Sequence, residues 1–443
     1  MKKITALALM LLFAQTLFAG IVYIVNGDSE TLSKYDTETG IVFNNILTLG
    51  EYANQIFICE DKGFVINSGE HNIQVIDLIN ENTIGFINCP NGSNPYWMTI
   101  RQLADGSKGY VTGLFTNKVY IFNPDNYIVT GSIDVGSGPE GLYFYEDKLY
   151  VCNTCYGSPN GTISVIDIDT DSVIETIQVG NNPQFCEVDA NDKLHVVCTG
   201  NYADISGEVY IINIYDYTDY DVLEIGGSPT KIGIHNNGTV YLADGMGQGY
   251  MAYDSQTLNI IHPSTNLFAS GGCFVRSAPD GNIYLGDALD WVNNGVVSIY
   301  SADEVLLNTI TVGVIPQDAG FYNFDVAIDD DFPERDIFSL SNYPNPFSTS
   351  TTISFSLATD FHPSSAVPIK SGRRVDRFSQ IKIYNIKGQL IRKLKIINYK
   401  LKINKVVWNR KDANGQKVSP GIYLYQAEID GKKSKMKKMI LLK

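Results

Sequence analysis

The stretch from Leu149 to Gln184 reads "LYVCNTCYGSPNGTISVIDIDTDSVIETIQVGNNPQ" and contains the clearest strand pattern of the chain. It contains three segments in which apolar and polar residues alternate, the pattern of strands buried on one side. They are parsed as KLYVCN (148–153), TISVID (162–167) and SVIETIQV (172–179). An Asp-rich turn follows the second segment, and Gly180 with an Asn-Pro pair leads into QFCEV (184–188). The stretch therefore predicts a unit of antiparallel strands joined by turns.

The same unit recurs along the chain. A polar residue ends each TISVID-like strand, and these residues are Asp36, Asp77, Asn123, Asp167, Asn213, Asp254 and Ser301. They are separated by steps of 41, 46, 44, 46, 41 and 47 residues. A period in the forties with four strands per unit is typical of propeller blades. The sequence therefore predicts an all-β chain that begins with a seven-bladed β-propeller.

The ends of the repeat predict how the ring closes. IVYIVN (21–26) has no first strand before it, and GFYNFDVAI (320–328) has no blade after it. We expect 320–328 to pair with 21–26, because this pairing removes two exposed sheet edges.

Charge divides the chain into two parts. Of its 33 basic and 48 acidic residues, 21 and 5 lie from Ile337 onward, a net charge of +16. The remaining 12 basic and 43 acidic residues give the earlier part a net charge of −31. This asymmetry indicates two domains. We predict a signal peptide at 1–19, a propeller at 20–330, a linker at 331–340 and a C-terminal domain at 341–443.

The first twenty residues, "MKKITALALMLLFAQTLFAG", combine two lysines, an apolar stretch and small residues, as secretory signal peptides do. A membrane anchor is the alternative, but a span needs about 20 apolar residues. We predict no transmembrane helix in the mature chain. Nucleic-acid binding by the basic part is not expected, because the chain is exported and its lysines alternate with apolar residues.

The C-terminal domain carries further strand and turn signals, including a hairpin at 380–396. We predict a small β-sandwich of six or seven strands.

Both parts resemble known families. The repeats resemble the YVTN-type β-propeller repeats of exported and surface-layer proteins, most clearly between 107 and 236. This resemblance implies a fold and leaves the function open, because propellers host binding proteins and enzymes alike.

The C-terminal domain resembles the type A sorting domain of the type IX secretion system, which has a FlgD-like immunoglobulin-type fold. The matching residues are Pro344, Asn345, Pro346, Phe347, Tyr384, Gly388, Trp408, Asp412, Gly415, Gly421, Tyr423, Tyr425, Lys437, Lys438 and Lys443. The resemblance implies recognition by the type IX secretion machinery and a secreted or outer cell-surface location, reached through the periplasm. Residues 359–378 depart from the family pattern and are expected to form a loop.

Ligands of propellers usually bind on one face, around the mouth of the central channel. The predicted ligand-binding residues are Trp97, Glu140, Tyr156, Gln184, Tyr202, Asp244, Asp287 and Trp291. Aromatic rings beside acidic and amide groups suit a glycan or a peptide. Packing between blades is the alternative for Trp97.

Signals of catalysis and of cofactors are few. The chain has no G-x-S-x-G, no H-E-x-x-H and no Gly-rich phosphate loop. We expect His195 and His235 to pack in the blades, and His71 is the candidate for a residue over the channel. No cofactor is predicted; calcium at Asp287, Asp290, Asn293 and Asn294 is the alternative, although these residues lack EF-hand spacing.

The function that these observations favour is binding or display at the cell surface without catalysis. The ligand would be an extracellular glycan, a peptide or a partner protein. Two alternatives stay open: a propeller enzyme, such as a lyase or glycan hydrolase, with its site at the channel mouth, and a structural surface-layer component.

Overall fold

The computed structural model describes residues 20–103, 106–323, 338–357, 380–385, 389–395, 404–412, 415–429, 432–433 and 436–442. Within these ranges the regular elements are all β-strands. No helix in the described part of the chain is long and apolar enough to cross a bilayer. The predicted signal peptide at 1–19 lies outside the described residues.

Twenty-eight strands build seven blades. The first three blades contain β1 (Ile21–Asn26), β2 (Thr31–Asp36), β3 (Ile41–Thr48), β4 (Ala53–Cys59), β5 (Lys62–Asn67), β6 (Asn72–Asp77), β7 (Asn82–Asn88), β8 (Pro95–Leu103), β9 (Gly106–Gly113), β10 (Lys118–Asn123) and β11 (Ile128–Asp134). Blades 4 and 5 contain β12 (Pro139–Tyr145), β13 (Lys148–Asn153), β14 (Thr162–Asp167), β15 (Ser172–Gln178), β16 (Pro183–Val188), β17 (Lys193–Cys198), β18 (Glu208–Asn213) and β19 (Asp216–Leu223). Blades 6 and 7 contain β20 (Pro229–Ile234), β21 (Thr239–Asp244), β22 (Tyr250–Asp254), β23 (Ile260–His262), β24 (Phe274–Ser277), β25 (Ile283–Asp287), β26 (Asn294–Tyr300) and β27 (Leu306–Val314), and β28 (Pro316–Tyr322) returns to blade 1.

The blades are seven four-stranded antiparallel sheets, so the predicted all-β propeller is confirmed. The first strand of each blade contacts the first strand of the next, and β28 contacts β4. These seven inner strands therefore form a closed ring. Apolar side chains on the first three strands fill the spaces between blades, while the outermost strands are largely exposed.

The ring closes through β28, which pairs antiparallel with β1 from Ile21–Tyr322 to Asn26–Pro316. The sequence predicted 320–328 as the partner of 21–26. The observed partner is 316–322. The shift arises because Pro316 begins the strand directly after β27, with Ile315 alone between them. Residues 324–328 lie outside the described part.

The polar residue that marks the repeat makes the turn after each third strand. Its side chain accepts the backbone N–H two residues further on, at 2.8–3.1 Å, in six of the seven copies: Asp36, Asp77, Asn123, Asp167, Asn213 and Asp254. Ser301 instead accepts the N–H of Val305 at 3.3 Å. The pKa of Asp77 and of Asp167 is lowered, mainly by the backbone N–H three residues further on in the same turn. The repeat residue is therefore structural.

The C-terminal strands form two sheets. They are β29 (Phe338–Tyr343), β30 (Thr351–Leu357), β31 (Gln380–Asn385), β32 (Leu390–Lys395), β33 (Asn404–Trp408), β34 (Gly421–Ile429), β35 (Lys432–Lys433) and β36 (Lys437–Leu441). One sheet has the order β29-β30-β33, and the other β32-β31-β34-β35, with β36 also pairing β34. The predicted hairpin at 380–396 corresponds to the β31–β32 pair. The described residues contain eight strands, where six or seven were expected.

The chain divides into two compact units at residues 327 and 328. The end of the predicted linker at 331–340 overlaps β29, which begins at Phe338. The rest of that linker, and the predicted loop at 359–378, lie outside the described residues.

Candidate ligand-binding site

One face of the propeller is formed by the loops that join second to third strands and by the connections between blades. We call this surface the loop face. The two kinds of loop bond each other: Ser68 N–H donates to Tyr52 O at 3.2 Å, and Thr154 N–H to Gly138 O at 3.0 Å. The predicted ligand-binding residues lie in these loops or at the strand ends beneath them.

The last residue of several second strands is a buried Asn or Asp. Asn67 is fully buried; its Oδ1 accepts the N–H of Gly50 at 3.0 Å and its Nδ2 donates to Asn72 at 2.9 Å. Asp287 has the same place in blade 7 and accepts the Ser270 hydroxyl at 2.7 Å. Asp244, at the end of β21, is 6% exposed and accepts the N–H of Gln248. The predicted site residues Asp244 and Asp287 therefore hold strand ends and loops together.

Trp97 is 8% exposed and lies inside the ring. It belongs to the inner strand of blade 3, yet its ring contacts Phe185 of blade 5, with centroids 4.8 Å apart. Lys231 of blade 6 and Arg276 of blade 7 lie 5.5 and 5.2 Å from the indole. Trp97 therefore lies within the channel, in contact with residues of three other blades.

Glu140 is the second residue of β12 and is 9% exposed. Its Oε2 has no hydrogen-bond partner among the described residues. Burial raises its pKa to about 8, because a buried carboxylate loses its hydration. Its charge also contributes, after burial, to raising the pKa of Tyr96 and of Tyr202. Glu140 is therefore a buried carboxyl of an inner strand, near the loop-face end of β12.

A cavity of about 400 Å³ opens on the loop face between blades 4 and 5, and we call it the blade 4–5 cavity. Tyr156 and Tyr202 both border it, and they are 81% and 42% exposed. The Nε2 of Gln184 donates to the Tyr202 hydroxyl at 3.4 Å. The structure therefore brings together three of the predicted residues, Tyr156, Gln184 and Tyr202.

Asparagines that were not predicted as ligand-binding residues complete the blade 4–5 cavity. The Asn181 amide donates to the carbonyls of Ser158 and Pro159, at 2.9 and 3.2 Å, and so positions the loop that carries Tyr156. Asn201 accepts three N–H groups of its own loop, at 2.9–3.0 Å. Asn182 is 5% exposed, and its Oδ1 has no partner among the described residues. The signal that could have identified them is the concentration of Asn in these loops.

Trp291 lies in the loop after β25 and is 49% exposed. A Cβ at Gly247 would lie 2.6 Å from its ring, and a Cβ at Gly245 would lie 3.1 Å from Tyr202. The glycine-rich loop 245–249 therefore separates Trp291 from the blade 4–5 cavity and leaves no room for side chains at these two positions.

The histidines have structural contacts. His195 is fully buried, with Nδ1 2.6 Å from the Tyr253 hydroxyl, and Nε2 of His235 lies 2.8 Å from Gly281 O. The Nδ1 of His71 accepts the N–H of Asn94 at 3.3 Å. Among the described residues no group of three or more His, Cys, Asp or Glu side chains is arranged to hold a metal ion.

The proposed calcium ligand Asp290 is engaged in its own turn. It accepts the N–H groups of Val292 and Asn293, at 3.1 and 2.8 Å, and the Asn293 amide. These hydrogen bonds lower its pKa to about 2.

In the C-terminal unit the sorting-motif residues hold the last strand in place. Asn345 accepts the N–H of Ile440 at 2.9 Å, and Phe347 N–H donates to Ile440 O at 3.0 Å. Trp408 is fully buried between Phe347 and Tyr423, with ring centroids 5.8 and 5.1 Å apart. Gly388 and Lys443 lie outside the described residues. The motif is therefore the framework of a small sandwich.

The C-terminal unit has a recognised family. Residues 341–442 match the secretion system C-terminal sorting domain. The predicted type IX sorting domain is thereby confirmed, and the chain is secreted or attached to the cell surface through that system. A search of the curated proteins finds no match.

Solved structures similar to this chain are propellers of low sequence identity. Hydrazine synthase of Kuenenia stuttgartiensis is 16% identical, with a TM-score of 0.53, covering 64% of this chain and 92% of its own. A functionally unknown protein of Desulfotomaculum acetoxidans is 13% identical, with a TM-score of 0.53, and the match covers 70% of this chain and 100% of that protein. A quinoprotein alcohol dehydrogenase-like protein of Bacteroides thetaiotaomicron is 14% identical, with a TM-score of 0.50, and the match covers 68% of this chain and 78% of that protein. At these identities the likeness shows the fold alone.

Proposed function

We propose that the propeller of this chain, exported by virtue of its secretion sorting domain, is an extracellular recognition module that binds a ligand on the loop face. The ligand is a glycan, a peptide or a segment of a partner protein. The sorting domain directs export, and the propeller provides the binding surface.

The blade 4–5 cavity is the observation that carries this proposal. It offers about 400 Å³ on the exposed face, within the usual size range of ligand pockets. Two exposed tyrosines border it, and their rings can stack on a sugar or a peptide side chain. Amide groups beside them offer hydrogen bonds. The loops are held by internal hydrogen bonds, so little conformational entropy is lost on binding.

Binding of the purified full-length chain to glycan and peptide arrays tests the proposal. We expect saturable binding that is lost in the double variant Tyr156→Ala, Tyr202→Ala. The matched control is Tyr215→Ala, because Tyr215 is 65% exposed but lies in the turn between β18 and β19 on the opposite face. Retained binding in the double variant, or no binding by the wild type, contradicts the proposal.

The two alternatives have less support. A histidine paired with a carboxylate at the channel mouth would support the enzyme alternative. The pairs found among the described residues are His195–Asp189, at 3.4 Å, and His262–Glu304, at 2.9 Å. Asp189 and Glu304 both lie in turns of the opposite face. Ordered self-assembly of the purified chain would support the surface-layer alternative.

A further inference from the structure

The described loops of the loop face carry acidic residues but neither Lys nor Arg. They comprise residues 27–30, 49–52, 68–71, 89–94, 114–117, 135–138, 154–161, 179–182, 199–207, 224–228, 245–249, 263–273, 288–293 and 315. Seven acidic residues lie in these described loops, and neither Lys nor Arg occurs there: Asp28, Glu30, Glu51, Glu70, Asp204, Glu224 and Asp290. A ligand that approaches this face therefore meets a negative potential.

The negative potential extends to the wall of the blade 4–5 cavity. Asp244, at the end of β21, lies near Tyr202, because its charge is one cause, after burial, of the raised pKa of Tyr202. Asp204, three residues before the end of the same loop, accepts a hydrogen bond from Asn201 at 2.7 Å. An anionic ligand would be repelled here, a neutral one would gain nothing from the charges, and a cation would be attracted.

A residue that borders the cavity has an unused hydrogen-bond acceptor. Asn182 borders it and is 5% exposed, and its Oδ1 meets no donor among the described residues. A buried acceptor without a donor is unfavourable, so a ligand that supplies an N–H group there gains affinity. Guanidinium and ammonium groups carry donors only.

The tyrosines match the same chemistry. Tyr156 and Tyr202 are exposed and border the same cavity as Asn182. Aromatic faces attract cations, and Arg is the side chain that most often stacks on them.

We propose that the blade 4–5 cavity binds the cationic side chain of an arginine- or lysine-containing polypeptide, with the cation against Tyr156 and Tyr202 and an N–H group donated to Asn182. This inference rests on the proposed function and gives its ligand a chemical class. Asp204, in one of the three loops of the cavity, and the acidic residues elsewhere on the loop face favour basic segments on either side of the bound residue.

Titration of the full-length protein with three labelled pentapeptides tests this inference. The peptides are Gly-Gly-Arg-Gly-Gly, the same peptide with citrulline, which is a neutral isostere of arginine, and the same peptide with glutamate; a neutral oligosaccharide is the fourth probe. We expect saturable binding of the arginine peptide that weakens with added salt. The citrulline peptide should bind about tenfold more weakly and the glutamate peptide not at all.

Variants locate the site. Tyr156→Ala should weaken binding of the arginine peptide about tenfold, and since Tyr156 is 81% exposed the change leaves the core intact. The matched control is Tyr52→Ala, because Tyr52 is 69% exposed on the same face but lies beside blade 2. It should bind the peptide as the wild type does.

The outcomes separate the two proposals. Equal binding of the arginine and citrulline peptides overturns the cationic inference. Binding of the oligosaccharide alone, lost in Tyr156→Ala, overturns the cationic inference and supports the proposed function. Absence of saturable binding by all four probes contradicts the cationic inference, and the array measurement then decides the proposed function.

Discussion

The carboxylate of Asp318 accepts two hydrogen bonds from the guanidinium of Arg276, at 2.7 and 3.0 Å. It also accepts the backbone N–H of Ile56 at 3.1 Å. Asp318 lies on the closing strand β28 and is fully buried, Arg276 belongs to blade 7, and Ile56 belongs to blade 2. One side chain therefore ties together the three blades at which the ring closes.

Asp318→Asn should destabilise the propeller by roughly 3 kcal/mol, because it leaves the guanidinium of Arg276 without its counterion inside the ring. Urea denaturation of the full-length protein measures the change. Asp134→Asn is the control, since Asp134 pairs with Lys118 but its side chain is 87% exposed, and it should change stability little. Equal stability of the two variants would contradict the role given to Asp318.

The pairing of β28 with β1 predicts the effect of truncation. A chain ending at residue 315 lacks the closing strand, whereas one ending at 336 keeps it, and both lack the sorting domain. The shorter chain leaves the edge of β1 unpaired and should unfold at lower temperature or aggregate. Thermal melts followed by circular dichroism, with light scattering, compare the two. Identical melting would show that closure by β28 does not stabilise the ring.

Glu140 predicts a pH dependence. Its folded-state pKa of about 8 lies above the unfolded value, so the folded protein keeps a proton that the unfolded chain has released. The associated stability is present at low pH and is lost as pH rises from about 4.5 through 8, by up to about 1.4 kcal/mol per pH unit. Glu187, with a pKa raised to about 7 by burial, acts in the same direction.

Glu140→Gln should therefore lose less stability between pH 5 and 8 than the wild type does. Denaturation curves at several pH values give the two slopes. Glu38→Gln, at an exposed turn, is the control and should keep the wild-type slope. A Glu140→Gln slope equal to that of the wild type would mean that the carboxyl titrates normally.

The core of the sorting domain predicts a defect in export. Trp408→Ala removes a fully buried indole, at a cost of about 3–5 kcal/mol, which is a large fraction of the stability of a small domain. We expect the variant to accumulate inside the cell instead of in the medium or on the surface. Immunoblots of the cell fractions measure this distribution. Leu442→Ala, at a 49% exposed side chain, should be exported normally.

Much of the fold follows from the sequence, because the repeat residue performs one local task in each blade. Asp167 ends β14 where the pattern placed it, and β13 matches the predicted 148–153. The prediction was less accurate where tertiary packing decides the boundaries. The closing strand begins four residues before the predicted position, since its register is set by β1 and not by its own pattern.

The candidate site was predicted in part. The aromatic residues Tyr156 and Tyr202 are exposed, as their loops suggested, and they border one cavity. Trp97 could not be placed from the sequence, because its partners Lys231 and Arg276 come from blades that only the closed ring brings near. Asn182 was not predicted as a site residue, because an Asn before Pro is typical of a turn. Its unpaired oxygen is seen only in the structure.

Amide hydrogen exchange of the full-length protein, with and without the tightest-binding array ligand, locates the binding site. We expect the bound ligand to slow exchange in 154–161, 179–182 and 199–207, the loops of the blade 4–5 cavity. Turns of the opposite face, such as 189–192 and 278–282, should exchange at unchanged rates. Protection confined to those turns, or to the sorting domain, would contradict a binding site on the loop face.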